Sequence, residues 1–103
     1  MRLRKRPLSE FDVRHTASGS KGRYYIIHPK GESELTYSIM SPQTVIADHT
    51  DVATGFEGQG VGLVLLEHLL ADAREKGFRI IPLCPFVNAQ RRKHPEWAEL
   101  FSV

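Results

Sequence analysis

The sequence of 103 residues has a single cysteine, Cys84, so it cannot form an internal disulfide. A chain with so little cysteine is typical of reducing compartments, and we expect the protein in the cytoplasm. Apolar runs are short as well. The run at residues 61–66 has six residues, whereas a helix that spans a bilayer needs about twenty. The sequence therefore excludes an internally disulfide-linked fold and predicts no membrane-spanning segment.

The chain also has little excess charge, with 14 lysine and arginine residues against 12 aspartate and glutamate residues. Four of the cations lie in the first six residues, at Arg2, Arg4, Lys5 and Arg6, which leaves ten basic against twelve acidic residues in the rest, a net charge of −2. Nucleic-acid binders spread basic residues over a folded face, so we do not expect a nucleic-acid partner. Residues 1–8 are predicted to form a flexible basic tail and residues 9–103 a single domain.

Close groupings of metal ligands are missing too. The one cysteine and the five histidines are scattered along the chain, without the short spacings that zinc sites use, so we expect no metal site. A chain of this length has room for one core and none for a separate substrate domain. Any functional site is expected in an open groove on that core.

Alternating apolar and polar residues fill the first half of the chain, the period of half-buried strands. This pattern predicts strands at residues 11–15, 24–28, 35–40 and 44–52. A Ser- and Gly-rich loop is predicted at residues 16–22, and a turn at His28-Pro29-Lys30-Gly31. The four strands are expected to form an antiparallel meander with one buried face.

A helical period follows, with apolar residues at three- and four-residue spacing: Val61, Leu65, Leu66, Leu69, Leu70 and Ala73. It predicts an amphipathic helix of about four turns that ends at Gly77. A short strand at residues 78–83, a second helix from Pro85 to Lys93 and a short closing helix around Trp97 come next. Strands followed by helices indicate an α+β fold.

Three glycines, Gly58, Gly60 and Gly62, stand at alternate positions where the first helix begins. The first N–H groups of a helix have no intrahelical partner, and glycine lets an anion approach them closely. No Gly-Lys-Ser/Thr follows as in a P-loop, and the third glycine of a dinucleotide fingerprint would fall on Leu65. The segment is either a phosphate-binding turn of another kind or a tight turn that binds nothing.

Together these residues resemble the GNAT superfamily of acetyl-CoA-dependent N-acetyltransferases, whose motif is Gln/Arg-x-x-Gly-x-Gly/Ala. Gly60 and Gly62 match its two glycines, while Glu57 occupies the Gln/Arg position. Three further segments are similar to the compact YjdJ-type branch of the superfamily: Asp48-His49-Thr50, Pro82-Leu83-Cys84-Pro85-Phe86 and His94-Pro95-Glu96-Trp97.

The resemblance implies a GNAT-like fold, in which a four-strand meander is followed by helix, strand and helix. It also implies a cofactor cleft where the fourth and fifth strands splay apart. The implied activity is acetyl transfer from acetyl-CoA to an amine on a small molecule or peptide. We expect the protein to be a monomer or weak dimer. The alternative is a non-catalytic module that binds coenzyme A or an acyl-CoA.

The cofactor contacts follow residue by residue from the resemblance. The backbone of Gly58, Gln59, Gly60, Val61 and Gly62 is expected to hold the pyrophosphate, and the main chain of Val52 to orient the thioester. Asn88 is a candidate for the pantetheine amides. Arg92, with its neighbours Arg91 and Lys93, is a candidate for the adenosine 3′-phosphate; the alternative is that these cations complement the helix dipole.

Cys84 and His49 are the catalytic candidates. Cys84 directly precedes the helix at Pro85, and helix N-termini favour thiolates, so it is predicted to take the acetyl group or to line the thioester site. The alternative is a small buried apolar residue. His49 lies three residues before Val52 and is predicted to accept a proton; the alternative is an exposed strand residue. Residues 86–97 contain no tyrosine to match the superfamily's usual general acid.

Overall fold

The computed structural model describes residues 11–103, so the predicted tail at residues 1–8 lies outside the described residues. One sheet holds five strands in sequence order: β1 (Arg14–Ser18), β2 (Lys21–His28), β3 (Gly31–Ser41), β4 (Thr44–Asp51) and β5 (Arg79–Pro82). The first four are antiparallel, and β5 runs parallel to β4. The helices are α1 (Val61–Lys76), α2 (Pro85–Lys93) and a 3₁₀ helix (Pro95–Leu100). The predicted α+β class and this element order are confirmed.

The start of the sheet differs from the prediction. The strand predicted at residues 11–15 is instead Arg14–Ser18, and the predicted loop at residues 16–22 is mostly strand, with Gly19 and Ser20 forming a tight hairpin turn. All five side chains of β1 are exposed, so this strand has no apolar alternation to reveal it. It exists because its backbone pairs with β2.

Helix α1 covers one face of the sheet. Its predicted apolar residues are all buried. They pack on a row of buried strand side chains: Tyr24, Ile26, Leu35, Tyr37, Val45 and Ala47. Gly77, at φ 79°, ends the helix as predicted, and its N–H bonds the carbonyl of Ala73. No helix within the described part of the chain is long and apolar enough to span a membrane.

Strands β4 and β5 pair only along part of their length. Their register runs from Thr44–Arg79 to Ala47–Pro82, and the last bond goes from the N–H of Cys84 to the carbonyl of Ala47, at 2.8 Å. Beyond Ala47, β4 continues beside β3 to Asp51, with a bulge at Asp48. The two strands therefore diverge after Ala47, which opens a gap at the carboxyl end of the sheet.

Candidate functional site

A cleft of about 350 Å³ lies where the end of β4, the start of α1 and the start of α2 meet. Its lining comprises Val52, Phe56, Glu57, Gly58, Gly60, Val61, Gly62, Leu63, Phe86 and Gln90. Five of the six residues predicted from Val52 and the glycine-rich turn are among them, Gln59 being the exception. The structure thus brings together one strand end and one helix N-terminus that are separate in sequence.

The floor of this cleft is the N-terminus of α1. Gly60 is the N-cap at φ 80°, a left-handed conformation that glycine adopts without strain. The first intrahelical bond runs from the N–H of Val64 to the carbonyl of Gly60, at 3.0 Å. The N–H groups of Val61, Gly62 and Leu63 precede it, and all three residues line the cleft. This geometry suits an anionic group of phosphate size.

Gly62 has a different role from Gly60. A Cβ at Gly62 would lie 2.9 Å from Cζ of Phe86, so the absent side chain makes room for that ring. A Cβ at Gly60 would meet nothing within 4 Å. The first glycine therefore sets the backbone at the helix start, and the second lets α2 pack closely against α1.

Glu57 stands in the position that the GNAT motif gives to Gln or Arg, and its carboxylate is hydrogen-bonded to the turn that precedes α1. Its Oε1 accepts a hydrogen bond from the N–H of Gly55, at 2.8 Å. The carboxylate is therefore engaged by the preceding turn while its side chain still lines the cleft.

Cys84 lies at the point where β4 and β5 separate. It is the N-cap of α2, as predicted, and its backbone N–H makes the last bond to β4. The side chain is 2 % exposed, and Sγ lies 3.3 Å from Oγ1 of Thr50. Thr50, which the sequence analysis did not single out, is thus the neighbour of the thiol.

His49 is not brought to Cys84. In the β3–β4 register His49 pairs with Thr36 and Thr50 with Leu35, so consecutive side chains leave opposite faces of β4. Because Thr50 points to the thiol, His49 points away from it, and it is exposed on the face that α1 does not cover. Cys84 and His49, the two catalytic candidates that we expected to act as a reactive pair, are therefore not in contact in this structure.

The polar residues of α2 are arranged differently from the prediction. Asn88 accepts a hydrogen bond from Nε of Arg91, at 2.8 Å. Arg92 and Arg91 line a separate cleft of about 320 Å³ beside the C-terminal residues. The face of α2 toward the candidate cofactor cleft carries Phe86 and Gln90 instead. The spacing of four residues puts Phe86 and Gln90 on one side of α2, but nothing in the sequence marks that side as the one that borders the cleft.

Three perturbed ionisable groups, Tyr24, His15 and Tyr37, lie away from this cleft, under the C-terminal half of α1. Burial, and next the hydrogen bond to Asp72, raise the pKa of Tyr24. Burial lowers the pKa of His15, whose Nε2 lies 2.6 Å from the hydroxyl of Tyr37. Asp72 is about 18 Å along the helix from the N-cap Gly60. These groups satisfy one another and are not part of the site. Within residues 11–103, no three metal-ligating side chains cluster.

Comparison with known proteins places this geometry in context. A family model described as GCN5-related N-acetyl-transferase matches residues 23–100, which include every residue of the cleft. A comparison with curated proteins finds none that matches.

Among solved structures, the chain is similar to the NMR solution structure of a "GCN5-like putative N-acetyltransferase" from Staphylococcus aureus. The two share 27 % sequence identity with a TM-score of 0.70, and the match covers 91 % of this chain and 90 % of the other. The expected GNAT-like fold is thereby confirmed over almost the whole chain.

Proposed function

The chain belongs to the family of GCN5-related N-acetyltransferases, and from that premise we propose that it binds acetyl-CoA and transfers the acetyl group to an amine on a small molecule or peptide. The observation that carries the proposal is the single cleft in which Val52, at the end of β4, meets the free N–H groups that begin α1. The helix N-terminus in this cleft suits a phosphate, and Val52 directly follows β4, whose end diverges from β5. The single cysteine supports a cytoplasmic location as part of the proposal.

The residues present fit coenzyme A. The backbone of Gly58, Gln59 and Gly60 and the N–H groups of Val61 and Gly62 would hold the pyrophosphate, because no Cβ fills the space at Gly58 or Gly60. Val52 would offer its backbone to the pantetheine arm in the cleft that Phe86 also lines. Bound acetyl-CoA supplies an activated thioester; the residues of the chain orient it.

We propose Lys93 as the contact to the adenosine 3′-phosphate. Lys93 follows Gln90 by three residues and Phe86 by seven, so it continues the face of α2 that borders the cleft. Arg92 lies on another side of the helix and Asn88 is bonded to Arg91. Asn88 and Arg92 therefore remain candidates that this arrangement does not favour.

Cys84 is the proposed reacting group beside the thioester, and Thr50 its partner. In a covalent route, Sγ of Cys84 forms a bond to the acetyl carbon as the bond from that carbon to the coenzyme A sulfur breaks, and the thiol proton passes to the departing sulfur. The acceptor amine then attacks the acetyl group on Cys84 and restores the thiol. The Thr50 hydroxyl, 3.3 Å from Sγ, can donate a hydrogen bond to the sulfur when it carries negative charge.

In the direct route the amine attacks without an acyl-cysteine, and His49 is the proposed base. Its exposed position on the uncovered face of the sheet is open to an acceptor that arrives from solvent. The alternative function, a module that binds coenzyme A without transfer, needs the cleft alone.

Intact mass spectrometry after incubation with acetyl-CoA, with titration calorimetry of coenzyme A, tests the proposal. Binding with acetyl transfer to Cys84 or to an added amine supports the enzyme. Binding without any transfer across a panel of primary amines supports the binding module. Absence of binding at millimolar coenzyme A contradicts both.

A further inference from the structure

A buried polar pair lies directly behind the cofactor cleft. Ser33 is 0 % exposed and His28 is 7 % exposed. They occupy the α1 side of the β2–β3 hairpin, in line with the apolar residues Ile26 and Leu35. Burying polar groups costs free energy unless they are hydrogen-bonded, so a polar pair in an apolar row calls for a structural reason.

The hydroxyl of Ser33 is bonded to the connection between β4 and α1. Its Oγ accepts a hydrogen bond from the N–H of Ala53, at 2.9 Å, and lies 2.8 Å from Nε2 of His28. Ala53 begins a four-residue turn, closed by a bond of 3.0 Å from the N–H of Phe56 to its carbonyl. Ser33 therefore ties the first residue of this turn to the sheet.

His28 holds the last residue of the same turn. Its ring stacks on Phe56, with 3.9 Å between ring centroids and 24° between planes. Phe56 lines the cofactor cleft, as does Val52, the residue before the turn. Both ends of the turn at residues 53–56 are thus anchored to one hairpin, and the turn contributes Phe56 to the wall of the cleft.

We propose that His28 and Ser33, which we call the latch, are positioning residues that hold this wall in the shape that binds coenzyme A. The inference rests on the proposed function, because it assigns the latch to the coenzyme A cleft. Without the latch, the turn keeps its internal hydrogen bond but loses both anchors. Coenzyme A would then have to order the turn as it binds, and that ordering reduces affinity.

The test measures coenzyme A affinity by calorimetry at a temperature where every variant is folded. Ser33→Ala removes both hydrogen bonds of the hydroxyl, and we expect a loss of roughly fivefold in affinity, the effect of one typical hydrogen bond. His28→Ala removes the stack and should weaken binding similarly. His28→Phe keeps an aromatic ring on Phe56 and should restore most of the affinity. If Ser33→Ala does not fold, the comparison of His28→Ala with His28→Phe still tests the proposal.

Tyr24→Phe is the control, since it deletes the hydroxyl hydrogen bond of another buried residue, to Asp72, in the C-terminal half of α1. It should lower the melting temperature and leave coenzyme A affinity unchanged. Wild-type affinity in both Ser33→Ala and His28→Ala would overturn the latch. So would an equal loss of affinity in Tyr24→Phe, because the effect would then be one of general stability.

Amide hydrogen exchange separates failure of the latch from failure of the proposed function. The Ala53 N–H should exchange slowly in the wild type and faster in Ser33→Ala, and it should be unaffected by Tyr24→Phe. If the wild type binds no coenzyme A, the proposed function is wrong. The proposed role of the latch in coenzyme A binding is then wrong too, even if the Ala53 N–H exchanges slowly. Rapid exchange of Ala53 in the wild type would overturn the latch itself.

Discussion

The hydroxyl of Thr50 and the thiol of Cys84 meet across the gap between β4 and β5, with 3.3 Å between Oγ1 and Sγ. Thr50 comes from the part of β4 that no longer pairs with β5, and Cys84 from the residue that makes the last bond to β4. The contact therefore marks where the strands part. A thioester that entered the gap would arrive beside this pair.

This contact predicts the behaviour of Cys84 with acetyl-CoA. In the covalent route, intact mass spectrometry should show one acetyl group on the wild type and none on Cys84→Ser, while coenzyme A still raises the melting temperature of both. Thr50→Val keeps the side-chain shape without the hydroxyl, and it should slow acetylation of the thiol. Full transfer activity in Cys84→Ala would exclude the covalent route and favour direct attack with His49 as base.

Coenzyme A itself should stabilise the fold. A ligand at one hundred times its dissociation constant adds roughly 2.7 kcal/mol to the free energy of unfolding, if it binds the native state alone. For a domain of this size that corresponds to a rise in melting temperature of roughly ten degrees or more. Differential scanning fluorimetry with and without coenzyme A measures the shift.

The two ends of α1 offer a matched pair of variants for that shift. Gly60 has φ 80° and Gly77 has φ 79°, and a Cβ at either would meet nothing within 4 Å. Alanine at either position should cost about 1–2 kcal/mol of stability for the left-handed backbone. Only Gly60→Ala should also weaken coenzyme A binding, by roughly tenfold, if one charged hydrogen bond is lost. Equal affinities of the two variants would argue against the phosphate site.

Features that depend on one helix or strand alone could be predicted from the sequence. The apolar period of α1, the stop at Gly77 and the start of α2 at Pro85 are local signals, and all are confirmed. Strand β1 was placed three residues early, because its exposed side chains carry no period and only pairing with β2 defines it. Local signals thus predicted the elements that bury an apolar face.

The site depended more on tertiary packing. The glycines could be predicted because their backbone requirements show in the sequence, and Val52 because the resemblance to the GNAT motif implies a residue of the site at that position. Phe56, Phe86 and Gln90 were missed, since only the docking of α2 on α1 and of the turn on β2 brings them to the cleft. The pairing of His49 with Cys84 was proposed without the register, which sends adjacent residues of β4 to opposite faces.

Because Gly62 packs closely on Phe86, the effect of a substitution at Gly62 on the free energy of unfolding should depend on the residue at position 86. Gly62→Ala should gain helix propensity of about 1 kcal/mol, but the 2.9 Å approach to the ring should cost about 1–3 kcal/mol, so the variant is expected to be no more stable than the wild type. In a Phe86→Leu background the same change should be stabilising. Denaturant unfolding of the four proteins measures the coupling, and additive effects would contradict the proposed contact.

Alkaline pH should destabilise the fold through Tyr24. Its pKa in the folded protein is raised by burial and by the hydrogen bond to Asp72, so the unfolded chain loses this proton first. The stabilisation is complete below the unfolded pKa of about 10 and falls by about 1.4 kcal/mol per pH unit above it. Tyr24→Phe should show a shallower decline between about pH 10 and 11.5 in denaturant unfolding. Parallel curves for the two proteins would contradict the assignment.

The face of α2 that borders the cofactor cleft predicts which cation contacts the 3′-phosphate of coenzyme A. Lys93 shares the side of the helix that carries Phe86 and Gln90, while Arg92 borders the other cleft. Exposed ion pairs contribute about 0–1 kcal/mol, so the wild type should bind coenzyme A at most about fivefold more tightly than dephospho-coenzyme A in low salt. Lys93→Ala should abolish this preference, and Arg92→Ala should keep it. Each variant removes one exposed cation, but only Lys93 lies on the face of α2 that borders the cofactor cleft. Loss of the preference in Arg92→Ala alone would return the phosphate contact to Arg92.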